Sequence, residues 1–105
     1  MTRLNEHKAP LLAEGSALVA GVKKAGFEGQ FFHLLGHTPE QLEDIYIVML
    51  DGKNVVRLEV DRASGAISDI SSENIRSYRR RVRGVQAKEL LGALDEAQSL
   101  RGAQP

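Results

Sequence analysis

The densest group of side chains that could do chemistry in this sequence is a run of arginines in its last third. Five arginines fall within the eight residues from Arg76 to Arg83. A planar guanidinium group binds carboxylates and phosphates through paired hydrogen bonds, and a nearby tyrosine can stack on a base. On a helix, four of these arginines fall within an arc of about 100°, and Arg81 lies beyond the apolar stripe. The candidate residues for binding a partner or an anion are therefore Arg76, Arg79, Arg80, Arg83 and Tyr78.

The charge balance of the whole chain limits what these arginines bind. Fourteen Lys and Arg side chains cancel fourteen Asp and Glu, so no net field steers the molecule toward nucleic acid or an anionic membrane. The simplest interpretation is a solvated helix face, balanced by the acids Glu73, Glu89, Asp95 and Glu96. If the cluster does bind, we expect a protein partner or a second copy of the chain ahead of nucleic acid, and no membrane.

The remaining candidate groups form no recognisable catalytic or metal site. His33 and His37 have the spacing that would place two metal ligands on one face of a helix. Their segment is predicted as strand and turn, however, and it has no carboxylate at ligand spacing. The absence of cysteine excludes thiolate metal sites, disulfides and thiol nucleophiles. Glu59 and Asp61 share one side of a predicted strand beside Arg57, which is typical of a solvated ion-pair face. We predict no catalytic residue, no cofactor, no metal and no enzyme.

The elements that position these residues are organised around residues 45–67, where the pattern predicts two apolar strands joined by a tight turn. Residues 51–54 are dense in turn formers, and an even-length loop there decides which side chains share a face. One face is then wholly apolar and holds Ile45, Ile47, Met49, Val56, Leu58 and Val60. The other is mixed, either partly covered or a docking surface, and holds Tyr46, Val48, Leu50, Val55, Arg57, Glu59 and Asp61.

A second turn at residues 62–65 leads into a third strand whose register the sequence leaves open. A four-residue loop places Ile67 opposite Val60. A three-residue loop with Gly65 in the left-handed conformation places Ile70 on the core face instead.

Before the hairpin, the sequence predicts a helix, a strand and a short connection. The helix begins at Pro10 or at an N-cap Ser16, and its end is marked by Lys23 and Lys24 ahead of Gly26. A buried strand is predicted at residues 29–36. Residues 38–44 match the start of a helix of one or two turns, with an acidic loop at a binding edge as the alternative.

After the sheet, the spacing predicts two amphipathic helices. Residues 71–74 supply a cap and an acidic first turn, followed by an apolar stripe of Ile75, Tyr78, Val82 and Val85. Gly84 interrupts, and residues 85–101 form a second helix whose stripe is Ala87, Leu90, Leu91, Leu94 and Ala97. Because one small sheet has limited apolar area left for this second stripe, we expect a homodimer or a protein partner on this helix or on the mixed sheet face.

Together these elements predict an α+β fold: a small three- to four-stranded, largely antiparallel sheet with an N-terminal helix and one or two C-terminal helices packed on one face. The length allows one domain at residues 10–101, between a polar lead at 1–9 and a flexible tail at 102–105. No apolar run approaches the roughly 18 residues of a membrane span, and the polar start lacks the apolar segment of a signal peptide. We therefore expect a cytoplasmic protein.

One stretch is similar to a known family. The order helix, strand, hairpin, with Val60-Asp61-Arg62-Ala63-Ser64-Gly65-Ala66-Ile67 at its end, resembles the PepSY-type domain over roughly residues 16–70. The resemblance implies a non-catalytic regulatory or inhibitory module, usually exported or membrane-attached, and carries over no catalytic residue. This chain departs from the pattern in its polar start and in its two C-terminal helices with the arginine cluster.

These observations predict a small non-catalytic module with a protein-binding or regulatory role. Nucleic-acid or polyanion binding through residues 76–83 is the alternative. A small enzyme or ligand-binding domain without a recognisable motif is the second alternative.

Overall fold

The computed structural model describes residues 9–102, and they form seven elements. The four strands make one antiparallel sheet in the order β1-β2-β3-β4. The predicted α+β fold, with an N-terminal helix and two C-terminal helices, is confirmed. The predicted polar lead, apart from residue 9, and the tail after residue 102 lie outside the described residues. The elements are α1 (Ala17–Lys24), β1 (Phe32–Pro39), β2 (Glu43–Leu50), β3 (Asn54–Asp61), β4 (Ile67–Asn74), α2 (Ile75–Arg81) and α3 (Gly84–Gly102).

The turn between β2 and β3 has three residues, because Leu50 pairs with Asn54. Asp51 and Gly52 both take left-handed backbone conformations, with φ of 54° and 72°. The Asp51 carboxylate accepts the backbone N–H groups of Gln30 at 2.9 Å and Phe31 at 2.7 Å, which ties the turn to the segment before β1. The predicted even-length loop is therefore wrong, because this tether and the two left-handed residues favour an odd one.

The odd loop changes which strand residues share a face. Val48 pairs with Val56 and Tyr46 with Leu58, so the even-numbered residues of both strands point to the same side. The predicted grouping of Ile45, Ile47 and Met49 with Val56, Leu58 and Val60 is wrong for the same reason. Each face of the sheet receives apolar side chains, and neither is left as a solvated surface.

Helices accordingly cover both faces, and the prediction that they all pack on one face is wrong. On one side, Val19 and Val22 of α1 pack against a buried set of strand residues comprising Phe32, Val48, Leu50, Val56 and Leu58. On the other side, α2 and α3 pack against Leu35, Met49 and Val55 through Tyr78, Val82, Leu90, Ala93 and Ala97. The molecule therefore has three layers, with the sheet between α1 and the two C-terminal helices.

The connection between β1 and β2 is a turn, and the short helix predicted at residues 38–44 is wrong. Thr38 and Pro39 continue β1 opposite Ile45 and Asp44, and the N–H of Glu40 donates to the carbonyl oxygen of Glu43 at 2.7 Å. Cross-strand pairing outweighs the helix-capping pattern of this segment. The chain forms a loop at residues 40–42, and the binding edge that the alternative prediction placed here stays a prediction.

The two ends of α1 follow the sequence signals. The Ser16 hydroxyl accepts the N–H of Val19 at 3.2 Å, and Gly26 has a φ of 103° just beyond the helix. Pro10 does not begin a helix: its carbonyl oxygen accepts the N–H of Leu34 at 2.9 Å, so residues 10–12 lie along the outer edge of β1. The N-cap at Ser16 is confirmed.

The pairing of β3 with β4 contains one extra residue. Val60 pairs with Ile67 and Leu58 with Ile70, which leaves Ser68 as a β-bulge. The predicted four-residue loop with Ile67 opposite Val60 is confirmed, and the three-residue loop is wrong; Ile70 still faces the core because the bulge at Ser68 shifts the register. None of the helices within residues 9–102 combines the length and apolarity needed to cross a membrane.

Candidate functional site

The arginine-rich segment forms α2, a helix of seven residues. Asn74 caps it, since its side-chain oxygen accepts the N–H of Ser77 at 2.8 Å. The N–H of Ile75 donates to the carbonyl oxygen of Lys53 at 2.8 Å, which fixes the start of the helix against the β2–β3 turn. Because Tyr78 and Val82 anchor this segment in the core, the opposite side of α2 faces solvent.

Three arginines occupy that solvent side. Arg76, Arg79 and Arg80 stand three and four residues apart, so their side chains leave the helix in similar directions. All three are exposed. Within residues 9–102, none of their guanidinium groups has an ion-pair or hydrogen-bond partner. We call these three residues the arginine face; their Cα atoms span about 6 Å along the helix axis.

The other two arginines of the run are engaged within the chain. Arg81 forms an ion pair with Glu73, which raises the pKa of the guanidinium, and it lies 5.5 Å from the centre of the Tyr78 ring. Arg83 lies beyond the end of α2, and its Nη1 donates to the carbonyl oxygens of Arg80 at 3.0 Å and Val82 at 2.9 Å. The predicted grouping of Arg83 with the arginine face fails because the helix ends at Arg81.

Tyr78 does not lie on the solvent side of α2 with the arginine face. It is 4% exposed and belongs to the core between the sheet and the two C-terminal helices. Burial raises the pKa of its hydroxyl. The predicted stacking of Tyr78 on a partner is therefore wrong, and the signal was present in the sequence, because Tyr78 also belongs to the apolar stripe with Ile75 and Val82.

A shallow depression that the sequence did not predict adjoins the arginine face. It has a volume of about 780 Å³, and Arg79 borders it on one side while α3 and the β2–β3 turn form the rest. Leu91 lines it and is 51% exposed, although the sequence placed it in the buried stripe of this helix; Ala93 is buried instead. One residue of the arginine face, Arg79, therefore borders the same depression as an exposed aliphatic side chain.

Two further polar clusters lie elsewhere in the fold. Arg62 reaches the β1–β2 turn, where its Nη2 donates to the carbonyl oxygen of Glu40 at 2.7 Å and to Asp44 at 3.1 Å. This contact, and then the one from His37, lowers the pKa of the Asp44 carboxyl. On the face of the sheet that α2 and α3 cover, fully buried His33 donates a hydrogen bond from Nε2 to Glu96 at 2.8 Å. Between residues 9 and 102, no three metal-ligating side chains come together.

Comparisons with known proteins bring no relative. No protein-family model matches the chain, and no curated protein and no solved structure is similar to it. The PepSY-type resemblance is therefore neither supported nor refuted, and it stays a prediction.

Proposed function

We propose that this protein is a non-catalytic binding module whose arginine face, together with Leu91, binds an acidic segment of a protein partner. One observation carries the proposal: three exposed guanidinium groups have no ion-pair or hydrogen-bond partner within residues 9–102, and one of them, that of Arg79, borders the depression that half-exposed Leu91 lines. Arginine is enriched at protein interfaces, and the buried centre of an interface is more apolar than the surface around it. Carboxylates of a partner would pair with the guanidinium groups, while an apolar residue between them would cover Leu91.

Two features favour a protein over a nucleic acid at this surface. The one aromatic ring of the segment is buried, so the surface lacks the stacking platform that single-strand binders use. Three guanidinium groups could neutralise about three phosphates, and the corresponding log–log salt slope of about −2.7 describes weak binding to duplex DNA. The balanced charge of the chain adds no further attraction.

A tagged protein captured from a lysate of the cells that make it tests the proposal. The double variant Arg79→Glu with Arg80→Glu should lose a partner that the wild type retains, because carboxylates then face carboxylates. Nuclease treatment of the lysate should leave that partner bound. Sedimentation of the purified protein shows whether the partner is a second copy of the chain.

A matched control carries the same change in charge elsewhere. Lys23 on α1 and Lys88 on α3 are exposed and do not line the depression beside Arg79. The variant Lys23→Glu with Lys88→Glu should keep the partner. An identical set of captured proteins for both variants and the wild type would contradict the proposal, and a partner released by nuclease would assign the surface to nucleic acid.

A further inference from the structure

An open apolar groove lies on the α1 face of the sheet, on the opposite side from the arginine face. The helix α1 has only eight residues, so it covers part of that face and leaves a space of about 570 Å³ between itself and the β3–β4 turn. This volume lies within the range of about 300–1,000 Å³ that is typical of small-molecule sites. The groove is lined by Ala17, Leu18, Gly21, Lys24, Ala25, Tyr46, Leu58, Val60, Gly65, Ala66 and Ile67.

The walls of the groove are held by the core. Leu58 at its floor is fully buried, and Ile67 packs directly on α1. A β-carbon at Gly21 would lie 3.0 Å from Ile67 Cδ1, so glycine at this position permits the close approach of helix and strand. The backbone of α1, β2 and β3 is already paired within helix and sheet. An extended peptide would find few backbone partners along these three elements, which favours a small molecule.

The charge in the lining of the groove is positive. Lys24 is the only charged residue of the lining, and its ammonium has no ion-pair partner within residues 9–102. Asp44, near Tyr46 in sequence, pairs with Arg62. Glu59 and Asp61 alternate with the lining residues Leu58 and Val60 along β3, so they point to the other face of the sheet, and Asp69 lies opposite Glu59 on that same face. A free cation therefore stands at the rim of an apolar groove, without a free carboxylate beside it to repel an anion.

We propose that this groove binds a small anionic amphiphile, a single-chain carboxylic acid whose apolar chain fills the groove while its carboxylate pairs with Lys24. The apolar lining accounts for the chain, and the unpaired ammonium accounts for the charged head. The site lies across the sheet from α2, so it is separate from the partner surface proposed above.

Titration of ¹⁵N-labelled protein with decanoate, below the concentration at which decanoate forms micelles, tests this site. Amide signals of α1, of β3 and of the β3–β4 turn should shift and saturate, and those of α3 should not. Decanol has the same chain without the charge, and it should bind several-fold more weakly because the ion pair with the exposed ammonium is missing. No saturable shift with decanoate, or equal affinity for decanol, would overturn the proposal.

Variants at the rim separate this site from general attraction of anions. Lys24→Glu should weaken decanoate binding at least about tenfold, and Lys24→Arg should retain it. The matched control is Lys23→Glu, because Lys23 lies 5.7 Å from the ring centre of Phe32 and does not line the groove; it should leave binding unchanged. Equal losses in Lys23→Glu and Lys24→Glu would overturn the proposal.

Filling the groove gives an independent test. Ala25→Trp places a large side chain at an exposed lining position, and it should abolish decanoate binding while the amide spectrum keeps its dispersion. If Ala25→Trp leaves decanoate binding intact, the chain does not occupy the groove and the proposal fails. If the groove binds an apolar peptide and not decanoate, it is a protein site and the proposal fails as well.

Discussion

At the residue scale, the side chains with clear partners tie separate segments together. Arg62 on the β3–β4 turn holds the β1–β2 turn through the carbonyl oxygen of Glu40 and the carboxylate of Asp44. The carboxylate of Asp51 ties the β2–β3 turn to the segment before β1. Neither contact could be predicted from the sequence, because each joins residues about twenty positions apart whose types occur in many turns.

The Asp44 contacts predict a stability that depends on pH. The Arg62 and His37 contacts lower the folded pKa of Asp44 below its ordinary value of 3.8, so their contribution is present above that pH. It is lost as the pH falls through the lowered folded pKa, where the carboxylate takes up a proton. We expect Asp44→Asn to melt at a lower temperature than the wild type near pH 7, and the difference to vanish in strongly acidic solution.

Thermal denaturation across this pH range provides the measurement, and Asp69→Asn is the control. Asp69 is likewise a strand aspartate, but it is exposed where Asp44 is half-buried, and its carboxylate has no hydrogen bond or ion pair within residues 9–102. Its replacement should shift the melting temperature by a similar amount at every pH. A pH-independent difference for Asp44→Asn would contradict the assigned contacts.

At the element scale, the helices were predicted better than the loops. The Ser16 cap and the positive φ of Gly26 follow from local capping chemistry, and the break at Gly84 corresponds to a positive φ of 60° at the first residue of α3. The β2–β3 turn was not predictable in the same way, because Asp51-Gly52-Lys53-Asn54 suits loops of two, three or four residues. One residue of difference in that loop exchanges the faces of a whole strand.

The left-handed turn predicts a specific cost for removing its glycine. Gly52 has a φ of 72°, and a β-carbon there would make ordinary contacts at 3.5 Å with Leu94 Cδ2, so the cost is conformational. We expect Gly52→Ala to destabilise the protein by about 1–2 kcal/mol, which corresponds to about 4–8 °C in melting temperature for each kcal/mol in a domain of this size.

The control for this turn is Gly15→Ala. Gly15 has no positive φ, and a β-carbon there would meet nothing within 4 Å, so the substitution should change stability by less than about 0.5 kcal/mol. Equal melting temperatures for the two alanine variants would show that the turn is not left-handed at Gly52.

At the scale of the whole molecule, the sheet contributes side chains to two hydrophobic cores, one on each of its faces. The central strands β2 and β3 have helices on both faces and a neighbour on each side. The predicted mixed face, either partly covered or a docking surface, does not exist as it was grouped, because the odd loop puts Val48 and Leu50 on the opposite face from Val55 and Arg57. The covering helices could not be assigned to faces until the loop parity was known, because the stripes of α1, α2 and α3 fit either side.

This arrangement predicts the order of hydrogen exchange. Amides of β2 and β3 should exchange slowest, since they open only when both cores are lost. Paired amides of β4 should exchange fastest among the strands, because β4 has a neighbour on one side only within the described chain. The amides of β1 should exchange at an intermediate rate, since residues 10–12 cover part of its outer edge. Native-state exchange followed by NMR measures this order, and protection of β4 equal to that of β3 would contradict it.

The bulge at Ser68 has a consequence for how this protein behaves at high concentration. A flat outermost strand offers free amide and carbonyl groups on which strands from other chains can grow into fibres. In β4 that row is interrupted at Ser68, whose hydroxyl lies 2.6 Å from Glu43 Oε2, and the exposed Asp69 follows directly. The irregularity that brings both Ile67 and Ile70 into the core therefore also makes β4 a poor template for aggregation.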